Sequence, residues 1–238
     1  DGHGGLLAAL RRSGALDDMR ARGIKSVFFF QVDNPLVEIA DPAFIGYHVL
    51  QKSEYSLKLC AKRDPFEKVG IPMQFGKTYR MVEYTEMTKE QCLREKDGKL
   101  YFLYGSPAIH VFDRAFLARE AAKAMPLHLA FKKIPFVEKG KVVQPKEPNG
   151  YKFEKFIFDI LPKAKRAAFL AFDPKEEFSP VKNAEGSDSP ATCRADLRAK
   201  WTKWLSEIGV TVPKGLPIEI DPVYALDAKD LAKVGLAL

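Results

Sequence analysis

Apolar positions along this chain alternate between a helical and a strand period. Leu6, Leu7, Leu10, Leu16 and Met19 recur at helical spacing up to about residue 21, with a break at Ser13-Gly14. Gly23 ends that stretch. Residues 24–32 then predict a strand, and the run Val27-Phe28-Phe29-Phe30 with Val32 is apolar enough for a central strand buried on both faces. Asp33-Asn34-Pro35 stops it, because proline has no N–H for a ladder and holds Asn34 out of the helical region. Asp41-Pro42 opens a second helix to about residue 47, with proline at the first helical position. Residues 55–61 alternate as a strand. Gly76-Lys77 makes a hairpin turn between a strand entered through Lys68-Val69-Gly70-Ile71-Pro72 and another over 79–84. Residues 100–104 predict a strong apolar strand stopped by Gly105-Ser106-Pro107, and 112–125 an amphipathic helix. Further on we expect a polar hairpin over 138–150 and a helix over 151–161 with Phe153, Phe156, Ile157 and Ile160 on one face. A strand over 167–172 and a helix over 191–208 carrying Trp201 and Trp204 follow, then short strands around Ile218-Glu219-Ile220 and a small terminal helix.

Strand–helix alternation with some hairpins implies an α/β fold: a mixed sheet covered by helices, then a small C-terminal α+β piece. We place the division at residue 184, giving a main domain over 1–183 and a small one over 184–238, which a 238-residue chain can hold. No apolar run approaches membrane-spanning length and no secretory signal is visible, so we expect a cytoplasmic protein with no membrane partner. Cys60, Cys92 and Cys193 are too widely spaced for a zinc site or a disulfide framework. The net charge of +7 raises nucleic acid as a partner, but the lysines are interleaved with acids and form no basic arm. That favours a small polyphosphate, or no specific meaning for the charge, over nucleic acid.

Two stretches carry candidate chemistry. Asp33, at a strand end, presents a carboxylate where open α/β sheets bind ligands, or it caps the following segment. Asp1-Gly2-His3-Gly4-Gly5, ahead of a helix, offers an anion close backbone approach and free N–H groups, or it only initiates the helix. Because the sequence opens inside such a loop, we expect that a substantial N-terminal part of the native protein precedes Asp1.

The motifs are more specific together than singly. Asp1-Gly2-His3-Gly4-Gly5, Val32-Asp33-Asn34, Asp41-Pro42-x-Phe44-Ile45-Gly46, Glu67-x-Val69-Gly70 and Glu83-Tyr84-Thr85-Glu86 occur in one order with Lys132-Lys133-Ile134-Pro135, Asn149-Gly150-x-Lys152-x-Glu154-x-Phe156-x-Phe158-Asp159 and Glu177-Phe178-Ser179-Pro180-x-Lys182-Asn183-Ala184. In this the chain resembles the eukaryotic-type UDP-N-acetylhexosamine pyrophosphorylases, within the wider UTP–sugar-1-phosphate uridylyltransferase family, from residue 1 to about 225. The resemblance implies a glycosyltransferase-A-like, Rossmann-like nucleotidyltransferase fold. It also implies conversion of UTP and a sugar 1-phosphate to UDP-sugar and pyrophosphate with Mg²⁺. On the same footing, Asp33 would hold the metal beside the α-phosphate, and Lys182 and Lys152 would supply positive charge. Gly2, His3 and Gly4 would lie against nucleotide and sugar. Gly70 would give close approach to the sugar, Glu83 would accept its hydroxyls, and Phe156 and Phe158 would wall the pocket. Asn34, Tyr84 and Ser106 complete the substrate-binding set. His110 and His128 are expected to pack or hydrogen-bond, since in-line displacement rests on positioning and charge and needs no base of their kind.

Two departures from the family pattern bear on the sugar. Gly105-Ser106-Pro107-Ala108-Ile109-His110 stands where the family reads Gly-Asn-Ile-Ala-Asn-His, and His3 stands where asparagine is frequent. These leave N-acetylglucosamine, N-acetylgalactosamine and glucose open. The family's Leu-x-x-Gly-Gly-x-Gly-Thr-Arg-Leu-Gly loop and its following lysine do not occur. We therefore expect the C-terminal part of a longer enzyme with little activity alone. The alternatives are a UDP-glucose or broad UDP-sugar pyrophosphorylase and a non-catalytic UDP-sugar-binding homologue.

Overall fold

A computed structural model describes residues 2–234. Asp1, which opens the glycine motif, and residues 235–238 of the expected terminal helix lie outside them. Helices α1 (Gly5–Arg12) and α2 (Ala15–Ala21) are separated at Gly14, whose φ of 75° suits glycine. Strand β1 (Ser26–Phe29) leads to α3 (Pro42–Leu50), where the Asp41 carboxylate caps the helix by accepting the Ala43 N–H at 2.8 Å. Next come β2 (Tyr55–Ala61), β3 (Ile71–Phe75), β4 (Thr78–Val82), α4 (Lys89–Leu93), β5 (Glu95–Lys96), β6 (Lys99–Leu100), β7 (Tyr104–Gly105), β8 (His110–Asp113) and α5 (Arg114–Glu120). Strands β9 (His128–Lys132), β10 (Phe136–Glu138), β11 (Lys141–Val143), β12 (Gly150–Glu154) and β13 (Ala167–Phe172) precede α6 (Pro174–Glu177), α7 (Pro190–Glu207) and α8 (Ala228–Val234). Among the described residues no helix is long and apolar enough to cross a membrane.

The chain divides into two compact units: Asp1–Phe29 with Ala40–Leu170, and Phe30–Ile39 with Ala171–Leu238. The boundary expected at residue 184 thus falls inside the second unit. Segment 30–39 belongs there because Asn34 is stitched to it. Its side-chain N–H donates to the Glu177 carbonyl at 2.7 Å, and its side-chain oxygen accepts the Ser179 N–H at 2.9 Å.

In the first unit the main sheet runs in the order β1-β8-β2-β13, with β7 also on β2. β8 is antiparallel to both β1 and β2, so those two run parallel on either side of it. Tyr55 and Leu57 from β2, Phe112 from β8, Phe116 and Leu117 from α5, and Leu7 from α1 are essentially fully buried. They form one core with Leu16, Ile157 and Leu161. In the second unit α7 packs Leu205 on Ile220, Ala225 and Leu231, with Trp201 and Trp204 at the margin. That pair is core packing, as its spacing predicts.

Several sequence expectations are corrected. The strand expected over 24–32 ends at Phe29, is only half-buried, and stands last in the sheet among the described residues. Its partner strand explains the short length. Phe29 pairs with His110, and just upstream lie Ala108 with φ 61° and Pro107, which has no N–H to extend the ladder. Val32 is 92% exposed, in the second unit. The strand expected over 100–104 is interrupted. Residues 101–102 form a turn, with the Tyr101 N–H on the Arg94 carbonyl at 2.8 Å and the Arg94 guanidinium 4.2 Å from the Tyr101 ring centroid. The helix expected over 112–125 begins only at Arg114, after Asp113 caps it through the Phe116 N–H. Residues 151–161 are not a helix. Tyr151 and Phe153 alternate with Lys152 and Glu154, and β12 pairs with β9 in the register Tyr151↔Phe131 and Phe153↔Leu129. Period two outcompeted the helical period there, and helical structure resumes as a 3-10 segment, Ile157–Lys163. No strand forms around Ile218–Ile220 among the described residues.

Candidate active site

In the first unit the glycine motif folds against the segment that follows β12. The Gly4 N–H donates to the Lys155 carbonyl at 2.7 Å. A Cβ on Gly4 would stand 2.6 Å from the Lys155 carbonyl carbon and 2.7 Å from the Phe156 nitrogen. Gly2 has φ 63°, and a Cβ there would meet the Lys155 oxygen at 2.5 Å. These glycines serve close approach of backbone to backbone. Gly4→Ala is therefore expected to cost roughly 1–3 kcal/mol of stability by overpacking. A thermal melt equal to wild type would contradict that.

His3 is fixed by the same segment. Its Nδ1 accepts the Ile157 N–H at 3.0 Å. Burial holds its pKa below the usual imidazole value, against the nearby Asp159 and Glu154 charges. The ring is therefore neutral at pH 7, and its proton sits on Nε2. His3 lies 5.3 Å from the Phe156 ring and 5.5 Å from Phe158, and those two rings stack at 4.9 Å. His3, Phe156 and Phe158 are thus brought together, with Gly2 and Gly4 at their base.

A second group in this unit joins Gly70, Glu83 and Ser106. The Ser106 N–H donates to the Gly70 carbonyl at 2.8 Å. A Cβ on Gly70 would lie 3.1 Å from Glu83 Oε1. Burial first, then the Glu86 and Asp159 charges, push the Glu83 carboxyl up, while His128 opposes them. Glu83 and Phe156 therefore share His128 as a neighbour, since the His128 and Phe156 rings are 4.6 Å apart. Ser106 Oγ also accepts the Ala108 N–H at 3.3 Å. Tyr84 instead borders a cavity of about 360 Å³ with Lys62, Phe66, Lys68, Lys89 and Cys92. Lys152 lies exposed on β12 and pairs with Glu154 at 2.9 Å. His110 is buried as expected, but neither ring nitrogen has a partner among the described residues. Burial, with His3 adding to it, lowers its pKa to about 3.

The second unit carries Asp33, Asn34 and Lys182. The Val181 N–H donates to the Asp33 carbonyl at 2.7 Å, which sets Lys182 beside that loop. The Lys182 N–H donates to the Asp188 carbonyl at 2.7 Å, and its side chain is exposed. Ser179, on the same loop, donates its hydroxyl to Asp196 at 2.6 Å. Asp33 is half-exposed, and no partner of its carboxylate is found among the described residues. A lone reachable carboxylate suits a hard cation that takes its other ligands from phosphate and water. Asn34 is corrected from a substrate contact: it is 2% exposed with both ends of its carboxamide spent on backbone. Its work is to hold the loop that carries Asp33.

His128 packs and hydrogen-bonds as expected, but sequence reasoning passed over its partner and one further pair. His128 Nε2 and Asp159 Oδ2 are 2.8 Å apart. Lys58, 1% exposed, sits 2.6 Å from Asp41. Asp159 belonged to a quoted motif without a role, and a lysine inside an apolar strand was the only signal for the second pair.

The profile of the UTP–glucose-1-phosphate uridylyltransferase family matches residues 1–188. The human UDP-N-acetylhexosamine pyrophosphorylase-like protein 1 is 43% identical over 216 residues, which span 88% of this chain and 43% of that protein. The UDP-N-acetylglucosamine pyrophosphorylase of Saccharomyces cerevisiae is 36% identical over 243 residues, 98% of this chain and 51% of that protein. A crystal structure from Entamoeba histolytica, of a protein assigned as a UDP-N-acetylglucosamine pyrophosphorylase, superposes with a TM-score of 0.89 at 35% identity. It covers 98% of this chain and 60% of that one. The expected nucleotidyltransferase-type α/β fold is thereby shown. The chain spans about half the length of the curated relatives it matches.

Proposed function

This chain belongs to the UTP–glucose-1-phosphate uridylyltransferase family, and from that premise we propose that it serves uridylyl transfer to an N-acetylhexosamine 1-phosphate. A phosphate oxygen of the sugar phosphate attacks the α-phosphorus of UTP. The new P–O bond forms as the bond to the β-phosphate breaks, and the electron pair leaves with pyrophosphate. The observation that carries this reading is the clamped loop of the second unit, which holds the Asp33 carboxylate, unpartnered among the described residues, with Lys182 exposed beside it. Asp33 would hold a magnesium ion, which when bound neutralises phosphate charge. Lys182 offers a second positive charge to the phosphates, and Lys152 a third if it leaves Glu154. His3, through Nε2–H, donates to an oxygen of nucleotide or sugar. Glu83 and Gly70 face the sugar with Ser106, and Phe156 and Phe158 wall it. The names of the relatives support the N-acetylhexosamine class. The family description and the shorter Ser106 side chain keep glucose 1-phosphate as the second reading. A cytoplasmic site of action completes the proposal and suits three free, buried cysteines.

The test is pyrophosphate release by the full-length protein with UTP, Mg²⁺ and the 1-phosphates of N-acetylglucosamine, N-acetylgalactosamine and glucose. We expect turnover with an N-acetylhexosamine, reduced about a hundredfold in Asp33→Ala. Release with glucose 1-phosphate alone would establish the second reading. No release with any of the three would overturn the proposal.

A further inference from the structure

His128 opens β9, opposite Glu154 of β12. Its Nε2 stands 2.8 Å from Asp159 Oδ2, with side-chain exposures of 31% for the histidine and 15% for the aspartate. A carboxylate only accepts, so the Nε2 proton is donated to Asp159. In the neutral ring that leaves Nδ1 as a lone-pair acceptor, and it has no partner among the described residues. The ring is held from the side by Phe156, at 4.6 Å between centroids, and Phe156 stacks on Phe158. His128 is also an electrostatic neighbour of Glu83. The ring is therefore fixed in orientation and stands beside Phe156, which with Phe158 is assigned above to the sugar.

We propose that His128, oriented by Asp159, is a specificity-determining residue whose Nδ1 accepts a hydrogen bond from a donor on the sugar, a hydroxyl or an acetamido N–H. This inference rests on the proposed function. It extends the chemistry of the wall, because Glu83 supplies a carboxylate acceptor and His3 a donor, whereas Nδ1 of the His128 ring, in the tautomer set by Asp159, supplies an imidazole acceptor locked by a second residue. Aspartate behind an imidazole fixes both tautomer and ring direction, which makes the acceptor rigid. Removing such a partner penalises substrates that carry the donor.

Two variants separate contact from scaffolding. His128→Gln can still donate an amide N–H to Asp159 but has no acceptor at the Nδ1 position. His128→Asn can put its amide oxygen near that position while losing the Asp159 bond. With the full-length protein, KM for the preferred sugar 1-phosphate is expected to rise about tenfold in His128→Gln and less in His128→Asn, while KM for UTP stays within about twofold. Sugar-phosphate KM equal to wild type in His128→Gln would overturn the inference, as would equal rises for both substrates. If the wild-type protein turns over none of the sugar phosphates, the proposed function fails and this inference fails with it. An active wild type with an indifferent His128→Gln overturns the inference alone.

Discussion

Lys58→Met is expected to destabilise the first unit by roughly 3–5 kcal/mol, the usual loss when one member of a buried ion pair is removed. Lys58 is 1% exposed, its ammonium lies 2.6 Å from Asp41 and 5.5 Å from the Phe44 ring centroid, and β2 carries it into the middle of the sheet. Burial pushes the Asp41 carboxyl up, but Lys58 and the Phe44 and Ala43 N–H groups together bring it below its ordinary value. Without the lysine the carboxylate keeps the burial and loses most of the compensation. Asp41 must also go on capping α3, so it cannot turn to solvent without freeing the Ala43 N–H. Asp41→Asn keeps an oxygen for the cap and removes the charge. The double variant Lys58→Met with Asp41→Asn should therefore recover most of the stability lost in Lys58→Met. Urea unfolding of the single and double variants measures this. A Lys58→Met curve within about 1 kcal/mol of wild type would refute the account.

Stability is expected to fall steadily as pH drops from about 6.5 towards 3, with His110 as the largest single contributor. In the folded chain burial lowers its pKa to about 3, from an ordinary 6.5. Between those values the unfolded chain binds a proton that the folded chain refuses, so stability is complete above the window and is lost as pH falls through it. The loss from this one group amounts to roughly 4 kcal/mol by pH 3. His3 and His48, both also lowered chiefly by burial, act in the same direction. His110→Leu should flatten the acid limb. It should change stability at pH 7 by less than about 1.5 kcal/mol, since the volumes are similar and no hydrogen bond is lost. Unfolding midpoints from pH 7 to pH 4 decide the matter: equal slopes for wild type and His110→Leu would remove His110 from the explanation.

The strands and helices that were legible in the sequence are those whose signals are local. The Asp41-Pro42 cap, the Gly76-Lys77 hairpin, the alternation over 55–61 and the α7 pattern each depend on neighbours within a few residues, and each formed. Two of the failures needed information from far along the chain. Phe30 and Val32 are as apolar as Phe29, but the partner strand of β1 ends at His110, and nothing near residue 30 says so. Tyr151 and Phe153 fit either period, and the choice was made by Leu129 and Phe131 across the ribbon. The candidate site shows the same division. Motif likeness singled out Gly70, Glu83 and Ser106, which do meet. It also singled out Asn34, whose carboxamide proves to be structural. The link between His128 and Asp159 spans 31 residues and left no trace that a single sequence could show.

The bond from Ile157 to His3 joins residues 154 positions apart. On a ribosome adding about 5–20 residues per second, the glycine loop therefore waits on the order of ten to thirty seconds for the segment that clamps it. Throughout that interval the Gly4 N–H lacks the Lys155 carbonyl, and α1 has no Ile157 to pack upon. That corner of the first unit is thus closed late in synthesis, once Ile157 has been made, with only β13 of the main sheet still to follow. Its histidine acquires a fixed tautomer only at that moment, so maturation of the site should lag behind formation of the surrounding secondary structure.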